Sequence, residues 1–188
     1  MLFFAHAGIT FGAAAAAAGV AGKHRSSSIA DWPAALSRYM DIRWLLVGSL
    51  LPDIIDKPLG EYILPGLIGT GRAYAHTLLF LIVLTVAALV IRRQWGKTWG
   101  LALAAGTLTH LILDQMWLMP KVLFWPLLGV RFERIDIAGW AGSLWHLLVS
   151  DPAIYIPEII GFLIVGWFGV MLLRRKRVRA FLAQGEVD

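Results

Sequence analysis

Five stretches of this chain are almost continuously apolar: Leu2 to Gly22, Arg43 to Ile55, Tyr74 to Ile91, Thr98 to Leu118 and Ile154 to Leu173. Apolar runs of that length predict helices that cross or enter a lipid bilayer. The second is too short to cross alone, because a crossing takes about 20 residues. It must be continued by neighbouring residues, tilted or partly re-entrant, and Pro52 and Pro58 fit a broken end. The expected architecture is all-α: a polytopic membrane bundle of about five membrane-embedded helices, forming one domain over residues 1–188.

The polar intervals set its direction. Basic residues gather as Lys23, Arg25, Arg38 and Arg43, then as Arg92, Arg93 and Lys97, and finally from Arg174 through Arg179. Those regions fall on one side of the predicted spans, which the positive-inside rule makes cytoplasmic. The N-terminus, the loop Lys57 to Arg72 and the loop Met119 to Asp151 are then outside, with 120–151 an outer interfacial segment and 174–188 a basic cytoplasmic tail. Eight of the nine tryptophans lie near span ends or in loops, as an interfacial aromatic belt requires. Phe124, Trp125, Trp140 and Trp145 make the outer loop too apolar for open water. Asp31, Trp32 and Pro33 read as a helix start between the first two spans. Gly8 with Gly12, and Gly96 with Gly100, are small-residue pairs that permit close helix approach.

Composition strengthens this picture. Of 188 residues 59% are hydrophobic and only 15% charged, too apolar a mixture to be covered in water at this length. There is no cysteine, which excludes disulfide frameworks, thiolate nucleophiles and cysteine-based metal sites. The formal charge of +5 sits in clusters flanking apolar segments, so membrane lipids are expected partners and nucleic acid is not. No Lys or Arg precedes the first apolar run, so it reads as a retained span rather than a signal peptide.

Ionisable groups inside such spans are costly and usually functional. Here they are His6, Asp53, Asp56, His76, His110, Asp114 and Glu158. Following the chain back and forth puts all of them near the outer surface, at one depth. His110 and Asp114 are spaced i,i+4 and Asp53 and Asp56 i,i+3, so each pair can face one centre. Carboxylates and imidazoles converging there would repel or mispair without cations. Oxygen and nitrogen ligands without sulfur suit Zn²⁺, Mn²⁺ or another divalent ion, and several carboxylates permit one or two ions. Taken singly, a membrane histidine is more often a hydrogen-bonded packing residue, and Asp53 could merely cap the broken helix; the shared depth favours a metal site. His24 reads as a solvated loop residue, and His146 as either a further ligand or an interfacial side chain. Arg72, Arg131 and Arg134 are outer cations able to hold a phosphate or to meet lipid head groups. No GxSxG, HExxH, Walker or GxGxxG motif occurs.

On these residues the chain resembles the YdjM-like family, described as LexA-binding, inner-membrane-associated, metal-dependent hydrolases. The resemblance lies in His6, LPDIID at Leu51 to Asp56, R-x-x-x-H-T at Arg72 to Thr77, THLILD at Thr109 to Asp114 and FWPL at Phe124 to Leu127. In the family pattern a His precedes the arginine, where this chain has Gly71, and Ser or Thr stands where it has Ala75. The family is grouped with zinc-dependent phospholipase C and the P1-type nucleases, which implies phosphoester hydrolysis. The resulting expectation is a hydrolase opening to the outer leaflet and acting on a phospholipid or lipid-linked phosphate. His6, Asp53, Asp56, His76, His110 and Asp114 would hold the metal, with Asp56 or Glu158 as base. The rivals are a divalent-cation or proton transporter using the same cluster, and an assembly protein in which the cluster only ties helices together.

Overall fold

A computed structural model describes residues 3–21, 28–66, 68–132 and 148–187. Its helices are α1 (Phe3–Ala21), α2 (Trp32–Ser37), α3 (Ile42–Lys57), α4 (Leu78–Trp95), α5 (Trp99–Leu113), α6 (Pro120–Leu123), α7 (Pro152–Arg174) and α8 (Val178–Gln184). No strand occurs among the described residues. α1, α4 and α7 are long and apolar enough to cross a membrane. α3 and α5, with 16 and 15 residues, are shorter than that.

The shortening of α5 corrects its predicted end at Leu118. Gln115 takes a left-handed backbone conformation, φ 52°, which breaks the helix and turns Met116–Leu118 into a separate 3-10 turn. α3 begins where the Asp41 carboxylate accepts from Arg43 N at 3.0 Å, and it runs past Pro52 into a π-helical turn, Pro58–Ile63. α4 starts four residues later than expected, because the hydroxyl of Thr77 caps it by accepting from Phe80 N at 3.0 Å. Its end is set by Gly96, whose φ of 68° is the left-handed C-cap conformation. Gly96 therefore ends a helix rather than seating one, while Gly100 does face Ala88 of α4, where a Cβ would stand 3.0 Å from the Ala88 Cβ. α2 starts where expected, with Asp31 in the N-cap position and Pro33 in the first turn, but Asp31 makes no side-chain cap bond to it; Ser28 Oγ caps the preceding turn by accepting from Ala30 N at 3.2 Å.

Two glycine crossings fix the bundle. A Cβ on Gly8 of α1 would lie 2.2 Å from the Gly161 carbonyl oxygen of α7, and one on Gly161 would lie 2.0 Å from the Phe4 oxygen. A Cβ on Gly48 of α3 would lie 2.1 Å from Leu103 O of α5, and one on Gly106 would lie 2.3 Å from Leu45 O. Backbones can approach this closely only where side chains are missing. At one end of these crossings the core is wholly apolar, with Phe11, Leu36, Ile42, Leu45, Phe168 and Phe181 buried together. Trp44 and Trp99 meet with ring centroids 5.1 Å apart where α3 and α5 begin. Leu79, Ile82, Val83, Val86, Leu89 and Val90 of α4 stay exposed, as a face turned to hydrocarbon requires.

Candidate metal centre

The opposite end of the bundle collects the polar side chains. α1 contributes His6 from its first turns, α3 contributes Asp53 and Asp56 from its last, α5 contributes His110, and Asp114 follows directly as its C-cap. His76 arrives from the loop that leads into α4. His6, His76 and His110 are each 0% exposed. His6, Asp53 and His110 present ligand atoms that all lie within 4.8 Å of one another, and so do His76, His110 and Asp114. His110 belongs to both groups.

The hydrogen bonds place a proton on Nδ1 of both His110 and His76. His110 Nδ1 lies 2.7 Å from the Ser49 carbonyl oxygen, which can only accept, so Nδ1 is protonated and Nε2 is left bare in the neutral ring. His76 Nδ1 lies 2.7 Å from Asp56 Oδ2. That carboxylate also accepts from the amides of Ala73, Ala75 and His76 at 2.7 to 3.2 Å, so it too acts as acceptor, and His76 Nε2 is left bare in the neutral ring. The two bare nitrogens face each other at 3.2 Å. Two lone pairs at that distance repel unless a proton or a metal ion lies between them. Around them stand Asp53 Oδ1, 3.6 Å from His76 Nε2 and 4.0 Å from His110 Nε2, and Asp114 Oδ2, 3.9 Å from His76 Nε2.

His6 completes the argument. Its ring stacks on His110 with centroids 4.0 Å apart, and Nε2 stands 3.1 Å from Asp114 Oδ1 without making a hydrogen bond. Among the described residues, buried Nδ1 has no hydrogen-bond partner. A fully buried imidazole without hydrogen bonds costs stability unless something else satisfies it. The donor set of three imidazoles and two carboxylates fits a divalent ion of the zinc or manganese kind.

Five of the six expected ligands thus converge: His6, Asp53, His76, His110 and Asp114. Asp56 stands behind His76, where its amide contacts pin the loop and its bond to Nδ1 orients the ring. Such carboxylates behind a ligand histidine usually govern metal affinity about 10- to 100-fold. Asp56→Asn is expected to weaken divalent-metal binding by about that factor with all five ligands kept, as measured by competition with a chromogenic chelator. Glu158, on α7, accepts from Phe4 N at 3.0 Å at the start of α1. Arg72 Nε donates to Asp114 Oδ2 at 2.7 Å, Arg131 is exposed in the segment after α6, and Arg134, His24 and His146 lie outside the described residues. Sequence reasoning missed Lys57, whose Nζ reaches Asp53 Oδ2 at 2.7 Å; its i,i+4 spacing from Asp53 was the available signal.

A family model described as YdjM inner membrane protein matches residues 1–181. No curated protein and no solved structure matches the chain significantly.

Proposed function

From the premise that this chain belongs to the YdjM inner membrane protein family, we propose that it is a membrane-embedded, metal-dependent hydrolase. Its substrate would be a phosphoester, a phospholipid or lipid-linked phosphate, met at the extracytoplasmic face. The observation that carries the metal half is the facing pair of bare nitrogens, His76 Nε2 and His110 Nε2, 3.2 Å apart in a fully buried setting. His6, Asp53, His76, His110 and Asp114 would hold one or two ions, Zn²⁺ before Mn²⁺ given three imidazoles. A divalent ion there supplies Lewis acidity and a water of lowered pKa.

The protein's own groups do the rest. Asp56 and the Ser49 carbonyl keep the two imidazole rings in the tautomer that presents Nε2. Asp56 is saturated with hydrogen bonds and Glu158 is engaged at Phe4, so Asp53, the more exposed of the two carboxylates in the cluster, is the better proton acceptor. The outward placement rests on the basic clusters, which put the opposite side in the cytoplasm.

A transport path would need polar groups continuing through the bundle. Beyond the cluster the hydroxyls are used locally, Thr10 Oγ1 meeting Thr109 Oγ1 at 3.0 Å and Ser49 Oγ donating to Leu46 O at 2.8 Å. Past them the described core is apolar. The test is anomalous scattering at metal absorption edges, combined with hydrolysis assays on a panel of phospholipids and lipid phosphates. Metal in the cluster and chelator-sensitive cleavage are expected. Protein that stays metal-free after incubation with Zn²⁺ or Mn²⁺, or cleavage indifferent to chelation, sinks the reading.

A further inference from the structure

Both carboxylates among the candidate ligands, Asp53 and Asp114, are also held by a cation. Asp53 turns Oδ1 toward His76 and gives Oδ2 to Lys57 Nζ at 2.7 Å; Asp114 turns Oδ1 toward His6 and gives Oδ2 to Arg72 Nε at 2.7 Å. The side chains of Lys57 and Arg72 are 34% and 35% exposed, whereas the carboxylates beneath them are 15% and 2% exposed. The two cations therefore form the boundary between the closed cluster and the exterior. They also belong to one rim. Lys57 is the last residue of α3, and a Cβ on Gly71, the residue before Arg72, would lie 3.3 Å from Lys57 Cγ. That Cβ would also lie 2.9 Å from Glu61 Oε1, so the missing side chain at Gly71 leaves room for the lysine stem and the Glu61 carboxylate beside the loop that carries Arg72.

Most of their donor capacity is unspent. Arg72 commits Nε to Asp114, and among the described residues its two terminal nitrogens make no hydrogen bond; Lys57 commits one of its ammonium protons. A guanidinium fork with two free nitrogens matches two oxygens of a phosphate, and an ammonium adds a point charge beside it. An ion among the ligands would draw on the charge of Asp53 and Asp114 and so leave the two cations freer to attract an anion.

We infer that Lys57 and Arg72 together are the phosphoryl-binding clamp of this site, which makes phosphate esters its substrate class. The inference rests on the hydrolase reading for what happens to the phosphate after it binds. Both residues would touch substrate, and neither is a metal ligand.

The full chain in detergent micelles is titrated with inorganic phosphate by ³¹P NMR and, separately, with dihexanoyl phosphatidate. Both titrations are run on Zn²⁺-loaded and on stripped protein, with metal content measured in parallel. Lys57→Gln and Arg72→Gln are each expected to weaken both ligands about tenfold, the scale of one charge-assisted hydrogen bond. Metal content is expected to stay unchanged, and Lys57→Arg is expected to keep binding, which separates a lost charge from a disturbed fold. Tighter binding of phosphatidate than of phosphate points to a lipid head group, and equal binding to the phosphate alone; both support the clamp. Phosphate affinity equal in the wild type and both glutamine variants, with metal content normal, overturns the clamp and leaves the hydrolase reading standing. Wild type that takes up no metal on incubation with Zn²⁺, yet binds phosphate through Lys57 and Arg72, does the reverse.

Discussion

Alanine in place of His110 is expected to lower divalent-metal affinity more than about a hundredfold, beyond what loss of a carboxylate behind a ligand costs. The reason lies in its shared position: among the described residues His110 is the member common to both ligand groups. Thermal denaturation gives a direct reading through linkage. At a metal concentration one hundred times the wild-type Kd, wild type gains about 2.7 kcal/mol of stability, whereas a variant bound a hundredfold more weakly gains only about 0.4 kcal/mol. The comparison is made within each variant, with and without metal. This cancels the separate cost of leaving the Ser49 carbonyl without its partner at 2.7 Å. Equal metal-induced stabilisation in wild type and His110→Ala means that the ion, if one binds, binds elsewhere.

The second large effect is on the crossing that aims those ligands. Gly106→Val puts a Cβ 2.3 Å from Leu45 O and 2.6 Å from Ser49 N, both backbone atoms that cannot turn aside. α3 and α5 must then separate. Overpacking of this kind costs about 1–3 kcal/mol or more, and the damage extends to chemistry, because α3 carries Asp53 and the Ser49 carbonyl while α5 carries His110. The expected result is a lowered Tm together with lost metal content. Gly166→Ala in α7 is the control: a Cβ there meets nothing within 4 Å, and removing a helical glycine is worth about 0.5–1 kcal/mol of added stability. If Gly106→Val melts and binds metal like wild type, the close α3 and α5 crossing is not what holds the centre.

How much of this was legible in the sequence differs from residue to residue. Alternating span direction placed His6, Asp53, His76, His110 and Asp114 at one end of the bundle, and they do meet within ligand distance. Gly8 was legible as a contact because small residues in apolar helices have few other uses, and Gly161 is its partner. The role of Asp56 was not legible. Spacing of i,i+3 puts it on the same helix face as Asp53, and only the loop returning through Ala73 to His76 converts it into an acceptor for three amides and a ring nitrogen. Glu158 shows the same limit: its depth is readable from topology, but the bond that its carboxylate accepts from Phe4 N is not. The early end of α5 was hidden because Gln115 carries no sequence mark of a left-handed conformation, unlike Gly96. Gly48 and Gly106 were readable in principle, each lying about a turn from a ligand on its own helix, Asp53 and His110.

The brevity of α3 and α5 has a consequence for the surrounding lipid. Their 16 and 15 residues extend about 24 and 22 Å, against a hydrocarbon layer of about 30 Å. A bilayer seated level with their tryptophan-bearing ends must either thin over the histidines or leave them at the bottom of a dimple one to two helical turns deep. In either case water and lipid head groups are drawn down toward the histidine cluster, and a lipid need not be lifted out of the layer to meet it.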